Sequence, residues 1–213
     1  MKRERLRLSF SIFMAIILIL IGIGPVFGAE FKDIKLDEKE IEREWEKADK
    51  IPVESDKIFL EDSTSIQLNG FGQYPKRKGV ILVTSDKYKG IIPTGHAAIV
   101  YTSDSVVESL SGGVTIGKNN WNRTRKTCYG VTVRATSAAQ DSRAANWCYG
   151  QRGKPYNWDY TNVRTRKKFY CSQLIYAAFL DLYGINLNTS AFGAAIHPME
   201  LVNTSRTSKI YEK

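Results

Sequence analysis

"KKFYCSQLIYAAFLDLYG", residues 167–184, has the spacing of an amphipathic helix with a cysteine in its first turn. Cys171, Leu174, Ile175, Ala178 and Leu182 recur every three or four positions, and Gly184 is the residue type that ends helices in a left-handed turn. A cysteine at that place meets unpaired backbone N–H groups and the positive end of the helix dipole. Both favour the thiolate, which is the nucleophilic form. Its position on the apolar stripe fits a core cysteine equally well, so the helix alone leaves both readings open.

The chain has 213 residues, 43% of them hydrophobic and 25% charged, a globular composition. Its start differs: Lys2, Arg3, Arg5 and Arg7 precede an apolar run from Leu8, a Gly-Pro break, and small residues before Ala29. That is the layout of a secretory signal peptide over residues 1–28, and export to the cell surface or medium is the expectation. The run is also long enough for an uncleaved anchor. Pro25 and the residues after it favour cleavage. Removing residues 1–28 lowers the formal charge from +9 to about +6, with no membrane contact expected afterwards. The basic residues are scattered apart from "NRTRK" (122–126) and "RTRKK" (164–168). Neither belongs to a nucleic-acid-binding module, and nucleic acid is not an expected partner.

Residues 29–65 read as a charged arm with a short helix ending at Pro52, and the compact domain is set at 66–213. Apolar or alternating runs predict strands over 79–85, 95–103, 105–112 and 128–136, with one more near the C-terminus. Ser137 and Gln140 have capping-box spacing at the head of a helix running to about Gly150. Of the three cysteines, Cys128 starts a strand and Cys148 lies inside that helix. In an oxidising compartment at least one thiol stays unpaired within the chain, and Cys128 and Cys148 are either buried or joined to each other.

A thiolate needs a base, and the chain has two histidines. His96 begins the strand "HAAIVY", whereas His197 precedes Pro198 in an irregular stretch. A histidine at a strand end aimed at a helix N-terminus is an arrangement cysteine hydrolases use. Glu108, an acid set in the apolar "VVESL", is the candidate to orient it, since a buried carboxylate needs a partner. A hairpin centred near Thr102 puts the two opposite each other. One centred between Ser103 and Asp104 offsets them by a few residues. The histidines lie about a hundred residues apart, and neither a paired-cysteine motif nor a phosphate-binding glycine loop is present. No metal and no cofactor is expected.

In order, "GHAAIV", "VVESLSGGV", "GKPYNWDY", "FYCSQLI" and "IHPMEL" resemble the YiiX-like family, circularly permuted relatives of NlpC-type cysteine peptidases in the papain-like superfamily. Histidine before cysteine is the reverse of the ordinary NlpC order, and the resemblance covers about residues 75–202. It implies an α+β, circularly permuted papain-like fold, an antiparallel sheet packed on helices with the nucleophile at a helix N-terminus. It also implies Cys171 as nucleophile, His96 as general base and acid, Glu108 as the third member, and Tyr156 lining the substrate cleft. Gln173 departs from the glutamate many relatives carry after "YCS". The implied activity is hydrolysis of a peptide or acyl-amide bond, with a cell-wall peptide as the leading substrate. A lipid-directed acyl hydrolase or transferase, and a non-catalytic module binding anionic wall polymers, are the alternatives.

Overall fold

The computed structural model describes residues 38–57, 71–86 and 94–213, and the signal-peptide reading lies outside them. Residues Lys35–Lys213 form one compact unit. In chain order the elements are α1 (Glu38–Lys50), β1 (Ile81–Thr84), β2 (His96–Thr102), β3 (Ser105–Leu110), β4 (Gly113–Lys118), α2 (Trp121–Thr124), β5 (Tyr129–Val133), α3 (Ala138–Tyr149), α4 (Cys171–Tyr183), α5 (Glu200–Asn203) and β6 (Thr207–Glu212). Among the described residues the strands make one six-stranded sheet in the order β4-β3-β2-β1-β5-β6, and each neighbouring pair is antiparallel. This is the expected α+β architecture.

Alternation along the strands sorts side chains onto two faces. Ile81, Val83, Ala97, Ile99, Val107 and Val131 form the larger core with α3 and α4. Leu82, Ala98, Val100, Val106, Trp121 and Cys128 form a smaller one. β1 is buried at every position, which explains why "ILVT" is apolar without alternating. Cys128 and Cys148 belong to different clusters, and all three cysteines are free. No disulfide joins the two.

Two features differ from the sequence reading. β4 was not expected: it is a glycine-flanked edge strand whose Thr115, Ile116 and Lys118 face solvent. Its partner on the far side is irregular, since Val114 N–H donates to Lys154 O at 2.9 Å and Gly153 N–H to Val114 O at 2.9 Å. α4 also departs from a simple stripe. Residues 171–179 are buried all round, whereas Leu182 is 39% exposed. The first turns are enclosed by α3, β2 and β3, and the helix then runs out past the core to its left-handed cap at Gly184 (φ 67°).

The arm packs into the same unit as the sheet. Ile41, Glu44 and Ala48 of α1 are buried, and the Lys209 ammonium on β6 donates to Ala48 O at 2.9 Å. Farther on, Arg77 bridges Asp56 (2.7 Å) and Asp141 (2.9 Å), while Lys57 reaches Asp141 at 3.0 Å. Asp141 is fully buried, so its charge depends on these cations and on the Thr132 hydroxyl at 3.1 Å. Arg77→Met leaves that charge short of a partner. It is expected to lower unfolding free energy by about 3–5 kcal/mol in urea titrations, and a loss near zero overturns the importance of the bridge.

Candidate active site

β2 and β3 form the first half of the site. The turn is Ser103-Asp104, and the ladder sets Ala98 opposite Glu108 with an irregularity between Val100 and Thr102. His96 therefore sits two positions before Glu108's partner, on the same face. It is a diagonal neighbour, within reach of a long side chain. His96 Nε2 donates to Glu108 Oε2 at 2.7 Å, and the imidazole stacks on Trp121 with centroids 5.5 Å apart. Before it, Gly95 has φ 62°, and an added Cβ there would lie 2.8 Å from the Trp45 ring. Only glycine suits that approach.

Gly117 on β4 makes a contribution the sequence reading missed. It lies beside Glu108, and a Cβ on it would collide with Oε1. The glycine creates the space in which the carboxylate turns toward His96. The available signal was the "GVTIGK" run itself, but without β4 assigned nothing tied it to Glu108.

α4 supplies the second half. Ser109 Oγ on β3 donates to Phe169 O at 2.7 Å, which pins the chain just before the helix to the sheet. Gln173 in the first turn holds four neighbours. Its Oε1 accepts from Tyr170 N–H (3.2 Å) and Asn157 Nδ2 (2.9 Å), and its Nε2 donates to Asn162 O (3.1 Å) and Thr165 O (3.4 Å). A glutamate could accept but not donate, which is the physical content of the departure at this position. Ser172 Oγ donates to Ile196 O at 2.5 Å, fixing the 186–197 segment behind the helix.

Cys171, His96 and Glu108 thus come together. Burial pushes the Cys171 thiol up, but hydrogen bonding and charge from His96, with the Ala97 and Ser172 N–H groups, outweigh it and hold the thiol below its ordinary value. Burial pushes His96 down, yet Cys171 and Glu108 raise it to about 9. With Nε2 on Glu108, Nδ1 is the nitrogen left for the sulfur. The arrangement favours a thiolate beside an imidazolium.

Tyr156 stands close enough for the Cys171 charge to raise its phenol, after the larger effect of burial. It is held by a bridge to Phe169. His197 lies apart from this group, buried between Phe192 (4.5 Å between centroids) and Trp45 (5.8 Å). Burial pushes the Cys128 thiol up to about 12 and raises Cys148 as well.

Two tests follow from this geometry. Iodoacetamide at mildly acidic to neutral pH is expected to label Cys171 alone in the native protein, and His96→Ala to move that labelling to higher pH. The sign is set by the pair. Its imidazolium form stabilises the fold fully below the unfolded value of 6.5 and loses that contribution as pH rises through about 9. Equal labelling of Cys128 or Cys148 before unfolding overturns the assignment. Gly117→Ala, by displacing the Glu108 carboxylate, is expected to lower the His96 titration midpoint seen by NMR while the fold persists; an unmoved midpoint shows that Glu108 has room elsewhere.

Residues 79–205 match the family model described as permuted papain-like amidase enzyme, YaeF/YiiX, C92 family. The chain is 29% identical over 164 residues to the uncharacterized protein YycO of Bacillus subtilis (strain 168), covering 74% of this chain and 66% of that protein. Its fold is similar to that of the metalloprotein YiiX from Escherichia coli O157:H7, with a TM-score of 0.51 at 14% identity over 66% of this chain and 99% of that one. The chain belongs to the permuted papain-like amidases of the YaeF/YiiX type, a family of hydrolytic enzymes.

Proposed function

We propose that the protein is an exported cysteine hydrolase that cleaves an amide bond, with a cell-wall peptide as substrate. One observation carries the reading: His96 is hydrogen-bonded to Glu108 at 2.7 Å while its interaction with Cys171 lowers the thiol. The Cys171 sulfur attacks the scissile carbonyl carbon, a C–S bond forms, and the carbonyl electron pair moves to oxygen. Backbone N–H groups at the start of α4, which lack partners within the helix, stabilise that oxyanion. The intermediate collapses, the C–N bond breaks, and the departing amine takes the proton from His96. Water then attacks the thioester, gives its proton to His96, and releases the acid and the thiolate.

Glu108 acts on the imidazole, keeping its ring turned to the sulfur and supporting its charge. Tyr156 borders the cleft on the loop side. The YiiX structure bears the description metalloprotein, but among the described residues of this chain no group of three or more His, Cys, Asp or Glu side chains could hold a metal ion. The described residues do not fit such a centre, and no step is assigned to one. Export rests on the reading of residues 1–28, and the basic charge suits an anionic wall as the place of action.

Mass spectrometry of peptidoglycan fragments incubated with the mature protein is expected to show peptide-bond cleavage. Cys171→Ala removes it, and His96→Ala lowers the rate by about 10²–10⁴-fold. Glu108→Gln keeps the fold, lowers turnover, and moves the alkaline limb of the pH–rate profile to lower pH, because the imidazolium loses its anionic partner. Unchanged fragments, with cleavage of an acyl lipid instead, overturn the cell-wall assignment. An unmoved alkaline limb removes Glu108 from the mechanism.

A further inference from the structure

The loop after "GKPY" carries aromatic surface that the catalytic steps leave unused. Trp158 is 58% exposed and Tyr160 37% exposed. Their rings form a continuous strip: Tyr170 to Tyr160 at 5.2 Å, Tyr160 to Tyr156 at 6.4 Å, and Tyr156 to Trp158 at 4.6 Å between centroids. Tyr170 is the residue capping α4, and Tyr156 feels the Cys171 charge. The strip therefore begins beside the nucleophile and ends in water.

Aromatic area left in water is unfavourable, and a contiguous patch of it usually marks a contact. This one is also held rigidly. Asn157 Nδ2 donates to the buried Gln173, Asp159 N–H donates to Asn157 Oδ1 at 3.1 Å, and Tyr170 OH donates to Tyr160 O at 3.2 Å. Thr161 donates to Asp159 Oδ1 through its N–H (3.2 Å) and its hydroxyl (2.7 Å). Rigid, exposed aromatic rings beside a nucleophile are a preorganised contact for substrate.

We propose that the Tyr156–Trp158–Tyr160 strip is a sugar-stacking subsite, so that the preferred substrate is a peptide still joined to its glycan. This rests on the cell-wall reading and narrows it. The strip is open on one side, and that decides its occupant. An acyl chain laid on it would keep half its surface in water. A pyranose ring has an apolar C–H face for the indole and a hydroxyl edge that prefers water. Asp159, exposed beside Trp158 and with Oδ2 uncommitted among the described residues, is an acceptor for that edge. Because Trp158 is more than half exposed and touches Tyr156 on one side, its replacement leaves the core intact.

The test separates the subsite from the chemistry. Cys171→Ala protein is titrated with the tetrasaccharide of N-acetylglucosamine by isothermal titration calorimetry, and the titration is repeated with Trp158→Phe and Trp158→Ala added to that background. Saturable binding that Trp158→Ala weakens by on the order of tenfold, and that Trp158→Phe largely restores, is expected. With otherwise wild-type enzyme, a glycan-linked stem peptide should have a lower KM than the same peptide without sugar, and Trp158→Ala should raise only the former while kcat stays. If neither peptide is cleaved, the hydrolase reading fails, and the oligosaccharide titration still decides the subsite. Three results overturn the proposal: no saturable oligosaccharide binding, equal KM losses for both peptides, or a loss confined to peptides with an aromatic residue or to acylated substrates.

Discussion

The hydrogen bond between His96 Nε2 and Glu108 Oε2 is the interaction around which the site is arranged. It sets the ring plane, commits one nitrogen, and leaves the other for Cys171. It also supports a charged imidazole in a place where burial alone favours the neutral form. Much of the sheet serves it. The Ser103-Asp104 turn and the irregularity after Val100 set the diagonal offset, Gly117 clears the carboxylate's path, and Trp121 covers the ring. These lie on the β2–β3 hairpin, on β4 and on α2. The contact is therefore a product of the whole ladder.

On the helix side the corresponding element is Gln173. Its amide spans the gap between α4 and the 157–165 loop, accepting from two N–H groups and donating to two carbonyls. Cys171 and the aromatic loop are thereby held in one frame, and Ser109 ties that frame to β3 through Phe169 O. A charged carboxylate at the same place would lose the two donated bonds and set a negative charge near a thiolate. The neutral amide avoids both.

The N-terminal arm contributes to the same frame from the far side. Trp45 of α1 packs on Gly95, stacks on Tyr129 at 5.9 Å, and meets His197 edge-on. The residue before His96 is thus backed by a segment that composition alone presents as a solvated, charged helix. Buried Lys209 and the Asp56–Arg77–Asp141 bridge hold that segment down, exchanging exposed charges for partnered ones. The compact unit extends to residues well before 66 for this reason.

What the sequence determined by itself was local. The helix start at Cys171, the Ser137–Gln140 box with its two reciprocal hydrogen bonds, the αL cap at Gly184 and four of the strands follow from spacing and residue type within a few positions. The order of motifs carried the family, and with it the pairing of a strand-start histidine with a helix-start cysteine. Tertiary structure decided whatever depends on a partner far along the chain. Which hairpin register brought Glu108 to His96, why Gly117 is a glycine, why Leu182 emerges from the core, and why Cys128 and Cys148 belong to separate clusters could not be read from periodicity. Periodicity reports the face on which a side chain lies. The neighbour it meets there is chosen by strand register and packing, which the chain settles only when it closes on itself.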